Sequence, residues 1–268
     1  MIKKRLIPVL LLKNGWLVQS KGFVNFQNLG NPTTAVKRLS EWAADELIYL
    51  DISSSDIYNI RRNDQGYPNR KTFLEIISDV SKYAFMPITV GGKIRKLEKI
   101  NKFLKNGADK ISINKISRIN PKFVTEAAKE FGSQCIIVSV DYKNTNGNYF
   151  VYSHEEKKST DLNLVDWVKK MQDYGAGEIL LNSVDHDGMK DGYDLDLINK
   201  VSENISIPII ACGGAGDWND FYTLLSKTNV AAAAAANIFH FKDQSVYLAK
   251  KYLYDKGVNV RKPTLMDI

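Results

Sequence analysis

The feature that most limits the fold of this chain is an alternation. Eight short runs rich in branched apolar residues fall at 5–12, 46–52, 87–91, 110–114, 135–141, 178–183, 208–212 and 230–236. Between them, apolar residues recur at helical spacing over 32–43, 70–83, 95–105, 121–131, 162–174, 195–205, 218–226 and 245–255. Apolar runs of this kind read as strands buried on both faces, as in a parallel sheet covered by helices. Gly107, Gly132, Gly175 and Gly257 follow helical segments, where a left-handed cap belongs. Eight such alternations in 268 residues predict an α/β fold, a (β/α)8 barrel. The alternative, a doubly wound open sheet, lacks its Gly-x-Gly-x-x-Gly turn after the first strand. The alanine run 231–236 has helical propensity, but its place in the eighth strand slot predicts a tightly packed strand.

The halves echo each other. Ala44-Asp45-Glu46-Leu47-Ile48-Tyr49-Leu50 parallels Ala176-Gly177-Glu178-Ile179-Leu180-Leu181-Asn182, and 87–92 parallels 208–214. A single domain over 1–268 is expected, built from half-barrels at about 1–131 and 132–257 with a tail at 258–268. With an offset of 130, Lys13 falls on Lys143 and Asn14 on Asn144, yet Asp141 falls on Leu11. The repeat keeps the frame and loses an acid.

Composition excludes several classes. No apolar run approaches the ~20 residues of a membrane span. The start, Lys3-Lys4-Arg5 followed by a short run containing Pro8, lacks a cleavage pattern, so no export signal is expected. Cys135 and Cys212 lie inside strands and read as buried thiols of a cytoplasmic protein. The net charge of +7 is spread over scattered lysines. That argues against nucleic acid and fits a solvated surface or an anionic small substrate.

The C-terminal ends of barrel strands carry chemistry, which makes Asp141 the leading catalytic acid or base. Gly91-Gly92 and Gly213-Gly214 each follow an apolar strand and precede a helix. Backbone amides there can approach an anion closely, so two loops on opposite sides of the mouth predict a substrate with a phosphate at each end. The alternative is a pair of tight turns. Asn114 and the Ala236-Asn237 pair, ending strands four and eight, are further donors; Lys93 and Lys115 add charge if they point inward. Asp185-His186-Asp187-Gly188 invites a metal reading, but no second histidine cluster accompanies it, since His154 and His240 stand apart. No metal and no cofactor are expected. Asp187 and Gly188 are read as substrate contacts, with Asp51 and Ser183 also at strand ends. At the opposite ends, Arg5, Glu46, Lys110 and Glu178 form two cations and two anions. Charges there must pair, which predicts an ion-pair ring closing the barrel floor.

Together these motifs resemble the cyclase subunit of imidazole glycerol phosphate synthase, the HisF family. The resemblance spans about residues 4–257. It rests on 44–52, Thr89-Val90-Gly91-Gly92, 107–114, Phe131-Gly132-Ser133-Gln134-Cys135, 175–181, 187–194 and Ile238-Phe239-His240-Phe241. It implies a mouth that binds a bisphosphate, a HisH-like glutaminase docked on the floor near Asp109 and Gln134, and ammonia passing along the barrel axis. Arg5, Glu46, Lys110 and Glu178 then become the ammonia gate.

The departures gather at the mouth. The family's cyclase uses aspartates at the ends of strands one and five; here one is Asp141 and the other position is Leu11. Gln19 stands where the family's mobile loop presents a lysine, Lys93 replaces a glycine and Asn237 a serine. Residues 54–70 form a polar insertion of about a dozen residues. Floor kept and mouth altered describes a diverged relative. It is expected to receive ammonia and support nitrogen transfer to a phosphorylated or nucleotide-linked substrate, as in sugar amidination for surface polysaccharides with a separate amidotransferase protein. The alternatives are a genuine imidazole glycerol phosphate synthase subunit and a non-catalytic ammonia conduit.

Overall fold

A computed structural model describes residues 2–58 and 70–265. In chain order the strands are β1 (Arg5–Lys13), β2 (Trp16–Lys21), β3 (Asn25–Gly30), β4 (Leu47–Asp51), β5 (Ile88–Gly91) and β6 (Lys110–Ile113). They continue as β7 (Ile136–Thr145), β8 (Asn148–Ser153), β9 (Lys158–Asn163), β10 (Glu178–Ser183), β11 (Ile209–Cys212) and β12 (Ala232–Ala235). Eight of them pair in parallel in the order β1-β4-β5-β6-β7-β10-β11-β12, and β12 closes back on β1 with Arg5 opposite Ala232. The expected (β/α)8 barrel is what forms.

The alternation of side chains decides what fills it. Ile7, Val9, Ile48, Ile137, Leu180, Ile210, Ala232 and Ala234 pack together as the barrel interior. Leu6, Leu10, Leu12, Leu47 and Tyr49 join the larger outer core under the helices. β12 is a strand despite its propensity: Ala234 faces in and Ala233 out, and small side chains suit both crowded faces. The helices are α1 (Pro32–Glu41), α2 (Phe73–Val80), α3 (Leu97–Lys105), α4 (Lys115–Ile119), α5 (Lys122–Phe131), α6 (Leu164–Asp173), α7 (Leu195–Ser202), α8 (Trp218–Lys227) and α9 (Ser245–Asp255). Several begin on a side-chain cap, among them Asn31, Thr72, Asn163, Asp194 and Asp217. No helix among the described residues is long and apolar enough to cross a membrane.

The structure adds two antiparallel hairpins that the apolar pattern does not reveal. β1 continues into β2 and β3, and β7 into β8 and β9, at equivalent places in the two halves. The turns that lead into them, from β1 to β2 and from β7 to β8, are Asn14-Gly15 and Asn146-Gly147, each with both residues at positive φ, 52° and 84° in the first, 52° and 80° in the second. Asn-Gly suits this primed hairpin turn. α4 was also not expected. Residues 59–69 of the insertion lie outside the described residues; its flanks are joined by an antiparallel bridge from Ile57 to Thr72.

Candidate active site

At the floor the four charged side chains meet. Arg5 Nη1 donates to Glu46 Oε2 at 2.7 Å, and its Nη2 pairs with Glu178. Lys110 Nζ lies 3.1 Å from both Glu46 Oε2 and Glu178 Oε2. Each cation therefore bridges both anions. The carboxylates are buried while the cations remain about a quarter exposed from below, at 24% and 23% for their side chains. Thr89 Oγ1 gives Glu46 a further bond at 2.7 Å. Asp109 accepts from the Ile88 amide and, like Gln134, is exposed.

At the other end lies a cavity of about 390 Å³. Leu11, Gly92, Asn114 and Asp141 line it, as do Lys93, Arg95, Lys115 and Arg118. The four cations suit an anionic occupant. Three of them are paired: Lys93 Nζ with Asp51 at 2.8 Å, and Lys115 and Arg118 each with Glu155 at 3.0 Å. Lys93 adopts φ 51°, a left-handed conformation that glycine takes without strain. Its bonds to Asp51 and to the Ser55 carbonyl, 2.6 Å away, hold it there.

Asp141, inward on β7, is almost fully buried. Asn182 Nδ2 donates to its Oδ1 at 2.9 Å, and Asn114 Nδ2 to its Oδ2 at 2.6 Å. His154 Nε2 lies 2.8 Å from Oδ2. Burial pushes the Asp141 carboxyl up, but the bonds from His154, Asn182 and Asn114 outweigh it and hold the group below the ordinary carboxylate value. Burial likewise pushes His154 down, and Asp141 more than reverses it, leaving the imidazole above its ordinary value. His154 is the site residue that the sequence hides. It sits in the turn between β8 and β9, and only the hairpin's register carries it to the mouth.

The two glycine loops are placed as twins. A Cβ on Gly92 would come 2.4 Å from the Asp51 carbonyl at the end of β4, and one on Gly213 2.9 Å from the Ser183 carbonyl at the end of β10. Gly214, at φ 108°, is tighter still, 1.8 Å from the Gly192 carbonyl. Gly214→Ala is therefore expected to cost about 2–4 kcal/mol, lowering the thermal midpoint by roughly 5–15 °C in a calorimetric scan.

The second loop opens on different surroundings. Gly213, Gly214, Asp187, Gly188, Ala236 and Asn237 do not line the cavity around Asp141. The first hairpin lies against Asp187, Gly188 and Asn237 instead. Asp187 Oδ2 accepts from Ser20 Oγ at 2.7 Å and from the Phe23 amide at 3.0 Å. Asn237 Nδ2 donates to the Ser20 carbonyl at 2.6 Å, and Gly188 has room only for hydrogen beneath it. Burial and the nearby Asp141 push the Asp187 carboxyl up. Gln19 bonds Gln27 across the same hairpin at 2.6 Å. Of the Asp185–Gly188 stretch, His186 pairs with Asp191 at 2.9 Å. No group of His, Cys, Asp and Glu among the described residues is arranged to hold a metal ion. Cys135 and Cys212 are free.

The family model described as histidine biosynthesis protein matches residues 5–245. The chain belongs to the histidine biosynthesis protein family. Its relatives in that family include imidazole glycerol phosphate synthase subunit HisF of Natranaerobius thermophilus, 42% identical over 261 residues, covering 97% of this chain and 100% of the relative. The HisF subunit of Staphylococcus carnosus is 41% identical over 263 residues, covering 97% and 99%. That of Geobacillus thermodenitrificans is 42% identical over 263 residues, covering 97% and 100%. The likeness covers the barrel from the floor ring to the last strand.

Proposed function

We propose that this chain is the synthase subunit of a glutamine amidotransferase pair of the imidazole glycerol phosphate synthase type. Nitrogen enters as ammonia at the floor and reacts at the mouth with a phosphate-bearing substrate beside Asp141. The observation that carries this is the presence of two distinct polar assemblies on one barrel axis. The Arg5–Glu46–Lys110–Glu178 ring stands at one end, and the cation-lined Asp141 cavity at the other. Four paired charges at a floor otherwise packed with aliphatic residues add little net stability over an apolar plug, and a passage for a small polar molecule gives a reason for them. The partner that supplies ammonia is a HisH-like glutaminase, docked where Asp109 and Gln134 are exposed. Gly91, Gly92 and Asn114 bind one phosphate. Gly213, Gly214, Ala236 and Asn237 bind the other once the first hairpin lifts from Asp187 and Gly188.

Leu11 favours a second reading, in which the substrate differs from the family's. Nitrogen would then go to a nucleotide-linked sugar in surface-polysaccharide biosynthesis, with a third amidotransferase protein at the mouth. One assay separates the two. The full chain is given phosphoribulosyl-formimino ribonucleotide and ammonium at high pH, and loss of the ribonucleotide is followed. Turnover above the buffer rate is expected. If wild-type protein and the Leu11→Asp, Gln19→Lys double variant are both inert, the cyclase assignment fails and the second reading takes its place.

A further inference from the structure

We propose that His154 is the proton-transferring side chain of this site, with Asp141 as its positioning residue, in place of the carboxylate absent at Leu11. This rests on the cyclase assignment above and concerns which groups move its protons.

Asp141 is poorly placed to do the work alone. Its two oxygens already accept three hydrogen bonds, from Asn182 on one side and from Asn114 and His154 on the other. A buried carboxylate so engaged stays ionised and is a weak base. His154 has the opposite character. Its Nε2 is committed to Asp141, while its Nδ1 makes no hydrogen bond among the described residues. With the Nε2 proton directed at the carboxylate, the neutral ring keeps its lone pair on Nδ1. The side chain lines the same cavity as Leu11 and is 40% exposed, so a substrate can reach it. It is also held in place. Phe23, from the tip of the first hairpin, lies 4.9 Å from the ring, and Tyr152 5.2 Å. A carboxylate that orients an imidazole and stabilises its cation is a general device for acid–base catalysis.

The charged groups facing the imidazole come from three elements: Asp141 from β7, Arg118 from α4, and Glu155 from its own turn. Glu155 is in turn tied to Arg118 and Lys115. Burial and Arg118 oppose protonation; Asp141 and Glu155 favour it and prevail. The step itself is balanced. Ammonia forms a C–N bond at the substrate's ketone carbon as the carbonyl electron pair moves to oxygen. The nitrogen loses two protons and the oxygen gains two, so water leaves and an imine remains. His154 carries the protons in turn and ends as it began, with no redox change.

The test is ammonium-dependent turnover of the same ribonucleotide by the full chain. His154→Gln changes an exposed turn and is expected to fold, with kcat about 10²–10⁴-fold lower and KM little changed. As a base His154 must be neutral, so kcat rises with pH through its raised value. Asp141→Asn removes the main cause of that rise and is expected to move the acid limb of the profile down toward 6.5. A His154→Gln variant with wild-type kcat overturns the inference and leaves the cyclase assignment standing. An inert wild type beside an active Leu11→Asp, Gln19→Lys variant also overturns the inference alone, because the pair then fails to replace the missing acid. Inertness of both overturns the assignment, and the inference falls with it.

Discussion

Arg5→Met is expected to lower the unfolding midpoint by about 6–20 °C. The anions of the floor ring are the buried members, with Glu46 2% and Glu178 5% exposed. Removing Arg5 leaves two buried carboxylates sharing Lys110 alone. Breaking a buried ion pair from one side costs about 3–5 kcal/mol, and in a chain of this size each kcal/mol shifts the midpoint by about 2–4 °C. Replacing all four residues together by apolar ones of similar volume is expected to be neutral or stabilising, because no charge is then stranded. The contrast, read by thermal unfolding, separates stability from purpose. A ring that can be replaced without loss of stability is retained for another reason, and passage of ammonia supplies one.

Asp141→Asn is expected to lower kcat for ammonium-dependent turnover by about 10²–10⁴-fold. The loss has two sources. The ionised partner of His154 disappears, and an amide at this position cannot accept from every donor around it. Asn114 or Asn182 then faces another N–H group, and a buried donor left unpaired costs about 1–3 kcal/mol. The pH dependence of stability follows from the same pair. Asp141 titrates below its ordinary value of 3.8, so its contribution is present above that pH and is lost as pH falls through the lowered value. His154 titrates above its ordinary 6.5, so its contribution is full below 6.5 and is lost as pH rises through the raised value. The mutual stabilisation is greatest between these ordinary values, and Asp141→Asn flattens it, as denaturant melts across that window would register.

Most of the barrel is legible in the sequence because parallel strands buried on both faces leave unbroken apolar runs. The run ending at Asp141 is one; the structure begins it at Ile136, leaving Cys135 in a short 3-10 turn, and adds a polar extension to Thr145. The floor ring is legible for a related reason: a charge at the start of an inward-facing strand has few places to go. The hairpins are not legible by that signal. β3 reads Asn-Phe-Gln-Asn-Leu-Gly and β9 Lys-Ser-Thr-Asp-Leu-Asn, both without a fully buried residue and without an apolar run. Their trace is the Asn-Gly pair at each first turn, a local cue to a hairpin but silent on where its far end lands. His154 and Phe23 lie at those far ends, so their meeting over Asp141 depends on pairing register. The same holds for Asp187 and Asn237. Their types and positions mark the mouth, but their bonds to Ser20 exist only because the first hairpin folds back over them.

Delivery of nitrogen through the barrel is tested most directly by isotope tracing. The chain is combined with a HisH-type glutaminase, and glutamine labelled with ¹⁵N at the side-chain amide is supplied with the ribonucleotide and an excess of unlabelled ammonium below the pH at which free ammonia competes. Product carrying ¹⁵N in wild-type protein, with the label diluted when Arg5 is replaced by methionine, is the predicted result. Product carrying only the unlabelled nitrogen of the medium, in wild type and variant alike, would contradict entry at the floor.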